Sequence, residues 1–241
     1  MRTQLENFGY FTAQTITFQN LLHNAKERKI TSFWWAWEGL IDFTLLRNLR
    51  FIEGIIHEDH HFGALLFAQS KQICILPQKL YQHRIRKGST MTKWSASEIP
   101  SYLKPLCAHF SYDMAREYFR IYSLTITTKR LYEFSNSGVD EDLRDDFRAF
   151  TMTYLLEFII KVYEYPKDPY HLRAQIAELL KSMGKNSLSK KVKRYFVFYA
   201  SPKLCKYIWV LRIFKSFYES LKNLERKFRH WRRGVLGKAN K

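Results

Sequence analysis

The texture of the sequence changes near Trp94, and this change most constrains the fold. Residues 1–94 hold most of the nine glycines and divide into short apolar runs, some with a helical period and some β-branched. Beyond Trp94 a helical period of three to four residues prevails. The pattern therefore predicts a mixed α/β region over residues 1–94, a helical region over residues 95–184 and a basic helical tail over residues 185–241.

Short elements follow one another in the first region. Apolar residues recur there at three-to-four spacing, which indicates helices, and β-branched runs between turn residues indicate strands. The predicted helices span residues 17–28, 38–48 and 59–70, and the predicted strands span residues 72–76 and 80–86. A Lys-Gly-Ser turn at residues 87–89 closes the second strand.

Two longer helices are predicted in the second region. The first spans residues 140–163, and the acidic residues in its first turns suit the positive end of a helix dipole. The second begins with Asp168 as N-cap and Pro169 at the first helical position, and Gly184 ends it. The run Asp140-Glu141-Asp142 is interpreted as the acidic start of the first helix.

Positive charge is concentrated at the C-terminal end of the chain. Residues 185–241 contain 17 Lys and Arg against two acids, which accounts for +15 of the formal +18. The first 184 residues are therefore close to neutral. A clustered positive field indicates a polyanionic partner such as an anionic membrane surface, a phosphorylated ligand or nucleic acid.

The tail carries an apolar stripe within this positive field. Eight residues are spaced alternately by three and four positions, and Lys and Arg flank them. They are Tyr207, Val210, Phe214, Phe217, Leu221, Leu224, Phe228 and Trp231. Such a helix packs on its own domain or a partner helix, or lies in a membrane interface with residues 207–233 facing anionic lipid. We do not expect nucleic acid, because no recognised nucleic-acid motif is present.

The cysteines and the apolar segments bear on the compartment. Cys74, Cys107 and Cys205 are odd in number and far apart, so they predict neither a disulfide framework nor a zinc site. The N terminus lacks the apolar run of a signal peptide, and no stretch of 18 apolar residues occurs. We therefore expect a cytoplasmic protein, peripheral on the inner face of the cell membrane.

Residues 51–91 carry the groups that suit transfer chemistry. The acidic pair Glu58-Asp59 stands at the start of a predicted helix, and a turn rich in cationic and hydroxyl groups follows about two dozen residues later. A carboxylate takes a proton from a hydroxyl nucleophile, while cations hold a leaving phosphate. The cationic turn contains His83, Arg84, Arg86, Lys87, Gly88 and Ser89.

The order of these residues resembles a known family. The pattern F-x-E-G-I-x-x-E-D-x-x-F-G, followed by I-x-x-L-P-x-x-L-Y-x-H-R-I-R-x-G-S, is similar to the second half of the catalytic domain in family 2 glycosyltransferases of the GT-A fold. The resemblance covers residues 17–92. It implies an α/β fold, here a partial, N-terminally truncated GT-A Rossmann-like domain followed by a mostly helical C-terminal region. It also implies an inverting sugar transfer from a nucleotide-diphosphate donor to a hydroxyl on a cell-surface or lipid-linked glycan.

The resemblance also implies roles for single residues. Asp59 is the expected general base, and Glu58 is expected to orient it or the acceptor hydroxyls. The donor diphosphate is expected near Arg84, Arg86 and Ser89. For His83 three roles stay open: a metal ligand, a phosphate contact, or an inward-facing structural residue. The aromatic segment before the acidic pair matches the acceptor side of the family, so Trp35 and Trp37 either stack on an acceptor sugar or belong to the core.

One expected part of the family pattern is missing. The family holds Mg²⁺ or Mn²⁺ on the diphosphate through an acidic D-x-D motif, and residues 1–50 contain none. We therefore expect the metal ligands to lie outside this chain, together with the nucleotide-binding half, as in a truncated enzyme or one with a separate N-terminal partner. The alternative is a non-catalytic remnant that acts as a helical protein binding a membrane or a partner.

Overall fold

The structure, a computed structural model, describes residues 4–35, 39–78, 80–82, 99–185, 188–193 and 196–199. Helices make up most of these residues. The α-helices are α1 (Gln4–Asn7), α2 (Phe18–Glu27), α3 (Glu58–Gln69), α4 (Lys104–Cys107), α5 (Tyr112–Ser137), α6 (Arg144–Ile159), α7 (Leu172–Met183), α8 (Lys190–Lys193) and α9 (Phe196–Tyr199). Short 3-10 helices span Phe43–Leu46, Ser101–Leu103, Glu141–Leu143 and Ile160–Glu164.

Two short strands form an antiparallel sheet. Strand β1 (Gln14–Ile16) pairs with β2 (Ile73–Ile75), so that Thr15 lies opposite Cys74. Because side chains alternate along a strand, Ile16 and Ile75 point into the core while Thr15 and Cys74 are exposed. The sheet thereby fixes the chain before α2 to the chain after α3.

The long helices α5 and α6 form the centre of the molecule. They pack along each other, with Tyr118 and Leu124 of α5 and Phe147 and Leu155 of α6 fully buried. Helix α2 packs on α6, and α3 packs on α5. Residues on both sides of position 94 therefore share one hydrophobic core, and the division into domains at that position stays a prediction.

Several hydroxyl side chains are buried in the middle of α5, and most of them donate a hydrogen bond. Ser123, Thr125 and Thr128 each donate to the carbonyl four residues earlier in the helix. These bonds satisfy polar groups that would otherwise cost free energy on burial. The β-branched and hydroxyl residues of this segment have modest helix propensity, so burial of its apolar neighbours determines its conformation.

Several predicted elements are confirmed within one or a few residues. Helix α2 begins after Thr17, whose hydroxyl accepts a hydrogen bond from the Asn20 amide at 3.2 Å, as expected of an N-cap. Helix α3 and strand β2 occupy the predicted segments 59–70 and 72–76. The segment 140–163 is helical from Glu141 to Glu164 apart from its change between 3-10 and α geometry.

The predicted helix over residues 38–48 is wrong. Within the described residues 39–48, only Phe43–Leu46 is helical, as a 3-10 turn that Asp42 caps by accepting from the Thr44 amide at 2.9 Å. Leu40 and Phe43 are exposed to solvent. Ile41, Leu45 and Leu46 pack against a small apolar cluster, but the rest of the predicted apolar face stays uncovered, and the periodic pattern does not produce an α-helix.

Two further expectations meet the structure differently. Helix α7 begins at Leu172 and not at Pro169, although Asp168 does cap it by accepting from the Leu172 and Arg173 amides, each at 2.9 Å. Gly184 ends this helix with a φ of 72°, as predicted.

The second predicted strand, residues 80–86, is described only at residues 80–82, which form no strand. Residues 83–86 and the amphipathic tail 207–233 lie outside the described residues. The GT-A fold itself stays a prediction.

No helix in the described part of the chain has both the length and the apolarity needed to cross a membrane.

Candidate functional site

The start of α3 presents the acidic pair. His57 precedes the helix in a left-handed conformation, with φ of 63°. This conformation is uncommon for a non-glycine residue and sharply redirects the chain. Ser123 of α5 holds the approach, because its hydroxyl accepts a hydrogen bond from the Ile56 amide at 3.1 Å. Glu58 and Asp59 therefore occupy the first helical turn, where the helix dipole favours negative charge.

Asp59 is a half-buried carboxylate with a shifted pKa. Burial is the main cause that raises its pKa to about 6, and the charge of Glu58 adds to the effect. The His60 amide donates to its Oδ1 at 3.0 Å and acts in the opposite direction. Asp42, by contrast, is an exposed helix cap, and its hydrogen bonds from Thr44 lower its pKa. Asp59 therefore differs from an ordinary capping carboxylate by being desolvated.

His60 anchors this turn of α3 to α6. Its side chain is 0% exposed, and its Nε2 lies 2.7 Å from the Thr151 carbonyl oxygen, to which it donates. Burial lowers the pKa of His60 to about 4, and the Thr151 carbonyl opposes the shift. The imidazole is therefore neutral at physiological pH, and it fixes the position of the neighbouring Asp59.

Trp34 forms an aromatic wall beside the start of α3. Its ring centroid lies 5.2 Å from that of His57, 4.7 Å from that of His60 and 6.0 Å from that of Tyr154. The Tyr154 amide donates to the Thr31 carbonyl at 3.4 Å. The backbone before Trp34 is thus tied to α6, and the wall combines residues distant in sequence.

Helix α5 contributes cations near His57, at the start of α3. An Nη2 of Arg120 donates to the Tyr154 hydroxyl at 3.2 Å, and its guanidinium carbon lies 4.3 Å from the Phe158 ring centroid. Burial, followed by the charges of Arg120 and Arg116, lowers the pKa of His57 to about 4. His57, which precedes α3, therefore lies near the positive charges of α5 and against the aromatic ring of Trp34.

The structure brings together some of the predicted site residues. Glu58 and Asp59 are adjacent and half-buried. Trp35 is half-buried and packs edge-on to Phe67 with ring centroids 4.9 Å apart, while Gly63 lies against its backbone. Its acceptor role stays a prediction. The remaining predicted site residues lie outside the described residues: Trp37, His83, Arg84, Arg86 and Ser89.

Three residues around the start of α3 were not predicted from the sequence. Trp34 stands in the aromatic segment between residues 33 and 37, but nothing in its spacing distinguishes it from Trp35. Arg120 and Tyr154 occur in ordinary helical patterns of the second region. They join the site because α5 packs against α3 and because His60 of α3 bonds the Thr151 carbonyl of α6. Local periodicity does not reveal these long-range contacts.

Comparison with known proteins gives one partial similarity. Over 78 residues, 32% of its length, the chain is 33% identical to the glycosyltransferase GlyA of Streptococcus pneumoniae serotype 4. The match covers 11% of GlyA, so the chain spans only a small part of that relative. No family model and no solved structure matches the chain. The chain is thus distantly related to a glycosyltransferase over about a third of its length.

Proposed function

We propose that this chain is part of an inverting glycosyltransferase in which Asp59 is the general base. The observation that carries the proposal is the desolvated Asp59 carboxyl, held on the first turn of α3 with a pKa of about 6. A base works best when its pKa lies near the operating pH. The partial similarity to a glycosyltransferase supplies the reaction class.

The reaction transfers one proton and one sugar. The Asp59 carboxylate takes the proton of the acceptor hydroxyl, whose oxygen forms a bond to the anomeric carbon of the donor sugar. The bond from that carbon to the diphosphate oxygen breaks, and the nucleoside diphosphate leaves with the electron pair. Because the attack comes from the face opposite the leaving group, the configuration at the anomeric carbon inverts.

Glu58 supports this base in the proposal. Its negative charge is one of the causes that raise the pKa of Asp59, and it thereby makes Asp59 a stronger base than an isolated carboxylate. At neutral pH a group with a pKa near 6 is still mostly ionised, so Asp59 is able to accept a proton. We assign to Glu58 the further task of binding acceptor hydroxyls.

The partners follow from the reaction class and the sequence. We propose a nucleotide-sugar donor and a cell-surface or lipid-linked glycan acceptor, with Trp35 and Trp37 stacking on acceptor sugar rings. Residues 207–233 would attach the protein to the inner, anionic membrane surface. We also propose that His83, Arg84, Arg86 and Ser89 bind the donor diphosphate.

The divalent metal that the resemblance implies has no evident site in the described residues. They bring together no group of three or more His, Cys, Asp or Glu side chains. Asp140 and Asp142, which have D-x-D spacing, are exposed at the start of a 3-10 turn. We therefore assign no metal ligand in this chain and derive no step through a metal.

The test compares two aspartates at helix starts. Release of nucleoside diphosphate from a panel of nucleotide-sugars, with and without acceptor glycan, is measured for the full chain, for Asp59→Asn and for Asp42→Asn. We expect Asp59→Asn to reduce acceptor-dependent release by about 10²- to 10⁴-fold, the usual effect of removing a general base. Asp42→Asn removes the charge of an exposed cap and leaves release unchanged. Equal release by both variants would reject Asp59 as the base.

A further inference from the structure

One hydrogen-bond donor of the Arg120 side chain has no acceptor among the described residues. Its Nε is shielded from solvent and makes no hydrogen bond within the described part of the chain. One Nη2 donates to the Tyr154 hydroxyl, and the guanidinium lies over the Phe158 ring. Arg120 takes part in neither the Lys26–Asp146 nor the Arg130–Glu133 ion pair. A half-buried guanidinium normally has its charge and donors matched, so this arrangement is unusual.

Arg148 shows how the same fold satisfies a comparable arginine. Its guanidinium carbon lies 4.9 Å from the Tyr132 ring centroid, much as Arg120 lies over Phe158. Its Nε donates to the Ser135 hydroxyl at 2.9 Å, and its Nη2 donates to the Asn136 side chain at 2.6 Å. Stacking on an aromatic ring therefore does not by itself leave an arginine unsatisfied.

A second unpaired group lies within electrostatic reach of Arg120. His57 Nε2 is also buried without a hydrogen-bond partner among the described residues. Arg116 adds another positive charge to the His57 environment, and the ammonium group of Lys161 lies 4.2 Å from the Phe158 ring centroid. Two buried, unsatisfied nitrogens thus lie where α5 meets the start of α3, and their neighbours carry positive charge.

We infer that Arg120, His57 and Tyr154 form a binding site for a phosphoryl group, named here the α5 anion site. A phosphate presents several acceptor oxygens, and a guanidinium binds two of them in parallel. An anion of this kind would accept from Arg120 Nε and from the imidazole while it balances the charge. Arg120 and Tyr154 come from the helical region, outside residues 17–92 that carry the family resemblance.

The α5 anion site deepens the proposed function and rests on it for the identity of its ligand. His57 and Asp59 are two residues apart, so their Cα atoms lie within about 7 Å of each other. A phosphoryl group at His57 is therefore within range of a sugar that reacts beside Asp59. It belongs either to the diphosphate of the nucleotide-sugar or to the diphosphate of a lipid-linked acceptor.

The experiment measures binding of inorganic pyrophosphate to the full chain by calorimetry at near-physiological salt. Salt weakens the non-specific binding of anions to exposed cations more than their binding to a partly buried site. We expect Arg120→Gln to weaken binding by about tenfold or more, the effect of losing a charge-assisted hydrogen-bonded contact. Arg120→Lys keeps the charge and restores only part of the affinity, because ammonium lacks the planar fork. Arg148→Gln, the matched control, binds like the unchanged chain.

A second readout separates a local site from a folding defect. Nuclear magnetic resonance of the His57 ring follows its titration, and bound pyrophosphate raises the pKa of His57 in the unchanged chain but not in Arg120→Gln. Thermal melts of the variants confirm that they are folded. Equal pyrophosphate binding by Arg120→Gln and Arg148→Gln, or an unchanged His57 titration, would overturn the α5 anion site.

Two further ligands identify the source of the phosphoryl group. Uridine diphosphate that binds more tightly than pyrophosphate, with dependence on Arg120, indicates the nucleotide donor; a short isoprenyl diphosphate that does so indicates a lipid-linked acceptor. Asp59→Asn is expected to retain pyrophosphate binding. Transfer activity that needs Asp59 without any Arg120-dependent binding would reject the α5 anion site and leave the proposed function intact.

Discussion

Acidification is expected to destabilise the protein through His60. The imidazole is fully buried and donates to the Thr151 carbonyl, and burial lowers its pKa from 6.5 to about 4. In the unfolded chain the same group takes up a proton near pH 6.5. The unfolded state therefore binds more protons than the folded state between these values, and the free energy of unfolding falls as the pH falls through this window.

The two pKa values give the size of this effect. A pKa of 6.5 in the unfolded chain and about 4 in the folded chain lowers the free energy of unfolding by about 2 kcal/mol between pH 7.5 and pH 5. The loss grows to about 3 kcal/mol below pH 4. Domains are stable by roughly 5–15 kcal/mol, so one histidine removes a substantial share. His61, which is 7% exposed and has its pKa lowered to about 4, acts in the same direction.

Asp59 changes the free energy of unfolding with pH in the direction opposite to the histidines. Its pKa is raised in the folded state, so its contribution is largest below the unfolded value of 3.8 and is lost as the pH rises through about 6. Acidification therefore removes the free-energy cost of burying a charged Asp59, while it favours a charged His60 that the folded state cannot solvate. Asp59 is half-exposed to solvent screening, so the buried histidines dominate and the net stability falls.

Urea unfolding at pH 7.5, 6 and 5 tests this reasoning. His60→Gln removes the titrating group and keeps a side-chain donor for the Thr151 carbonyl, whereas His23→Gln changes an exposed histidine of α2. We expect His60→Gln to be less stable at pH 7.5 but to lose about 2 kcal/mol less than the unchanged chain on going to pH 5. His23→Gln keeps the full pH dependence. The same pH dependence in His60→Gln as in the unchanged chain would refute the role of His60.

Three other changes follow from the same structure. Asp59→Asn is expected to raise the thermal midpoint at neutral pH, since it removes a desolvated charge and keeps an acceptor for the His60 amide; a lower midpoint would mean that Asp59 only caps α3. Gly63→Ala adds a methyl group that collides with the Trp35 carbonyl, and it should cost about 1–3 kcal/mol in urea unfolding despite the better helix propensity of alanine. Asp168→Ala removes a carboxylate that caps α7 and accepts from the buried Tyr118 hydroxyl, and a loss of about 3 kcal/mol is expected by the same assay.

The sequence predicts the elements of the site better than the environment of its residues. Helix α3 is predicted to within one residue because a helical period runs through it, and Asp59 falls in its first turn as a consequence. The environment of α3 includes α5, which packs against it and lies far along the chain. Local patterns carry no information on that contact, so neither the raised pKa nor the proximity of Arg120 is predictable from the sequence.

The wrong helix over residues 38–48 has a related cause. Its apolar residues recur at helical spacing, but Leu40 and Phe43 remain exposed, and the helical turn that Asp42 caps has 3-10 geometry. A helical period predicts an amphipathic helix only when a neighbouring surface covers the apolar face. In α2 and α3 that surface is provided by the central pair, and there the same pattern gives the correct prediction.

One physical cause, burial at the start of α3, has opposite effects on neighbouring groups. It raises the pKa of Asp59 and lowers that of His57 and His60, because desolvation disfavours whichever form is charged. Between pH 6 and 8 the histidines are therefore neutral, and the positive charge beside them comes from the arginines of α5. The proposed phosphoryl binding should then remain nearly constant over this interval, while the proposed base gains a proton as the pH falls through about 6.

Turnover measured against pH is expected to fall tenfold per unit below that value with little change in donor affinity, since kcat reports the base and binding reports the arginines. Donor affinity that rises steeply as the pH falls would show that a titrating histidine, and not Arg120, holds the phosphoryl group, because protonation turns the imidazole into a cation.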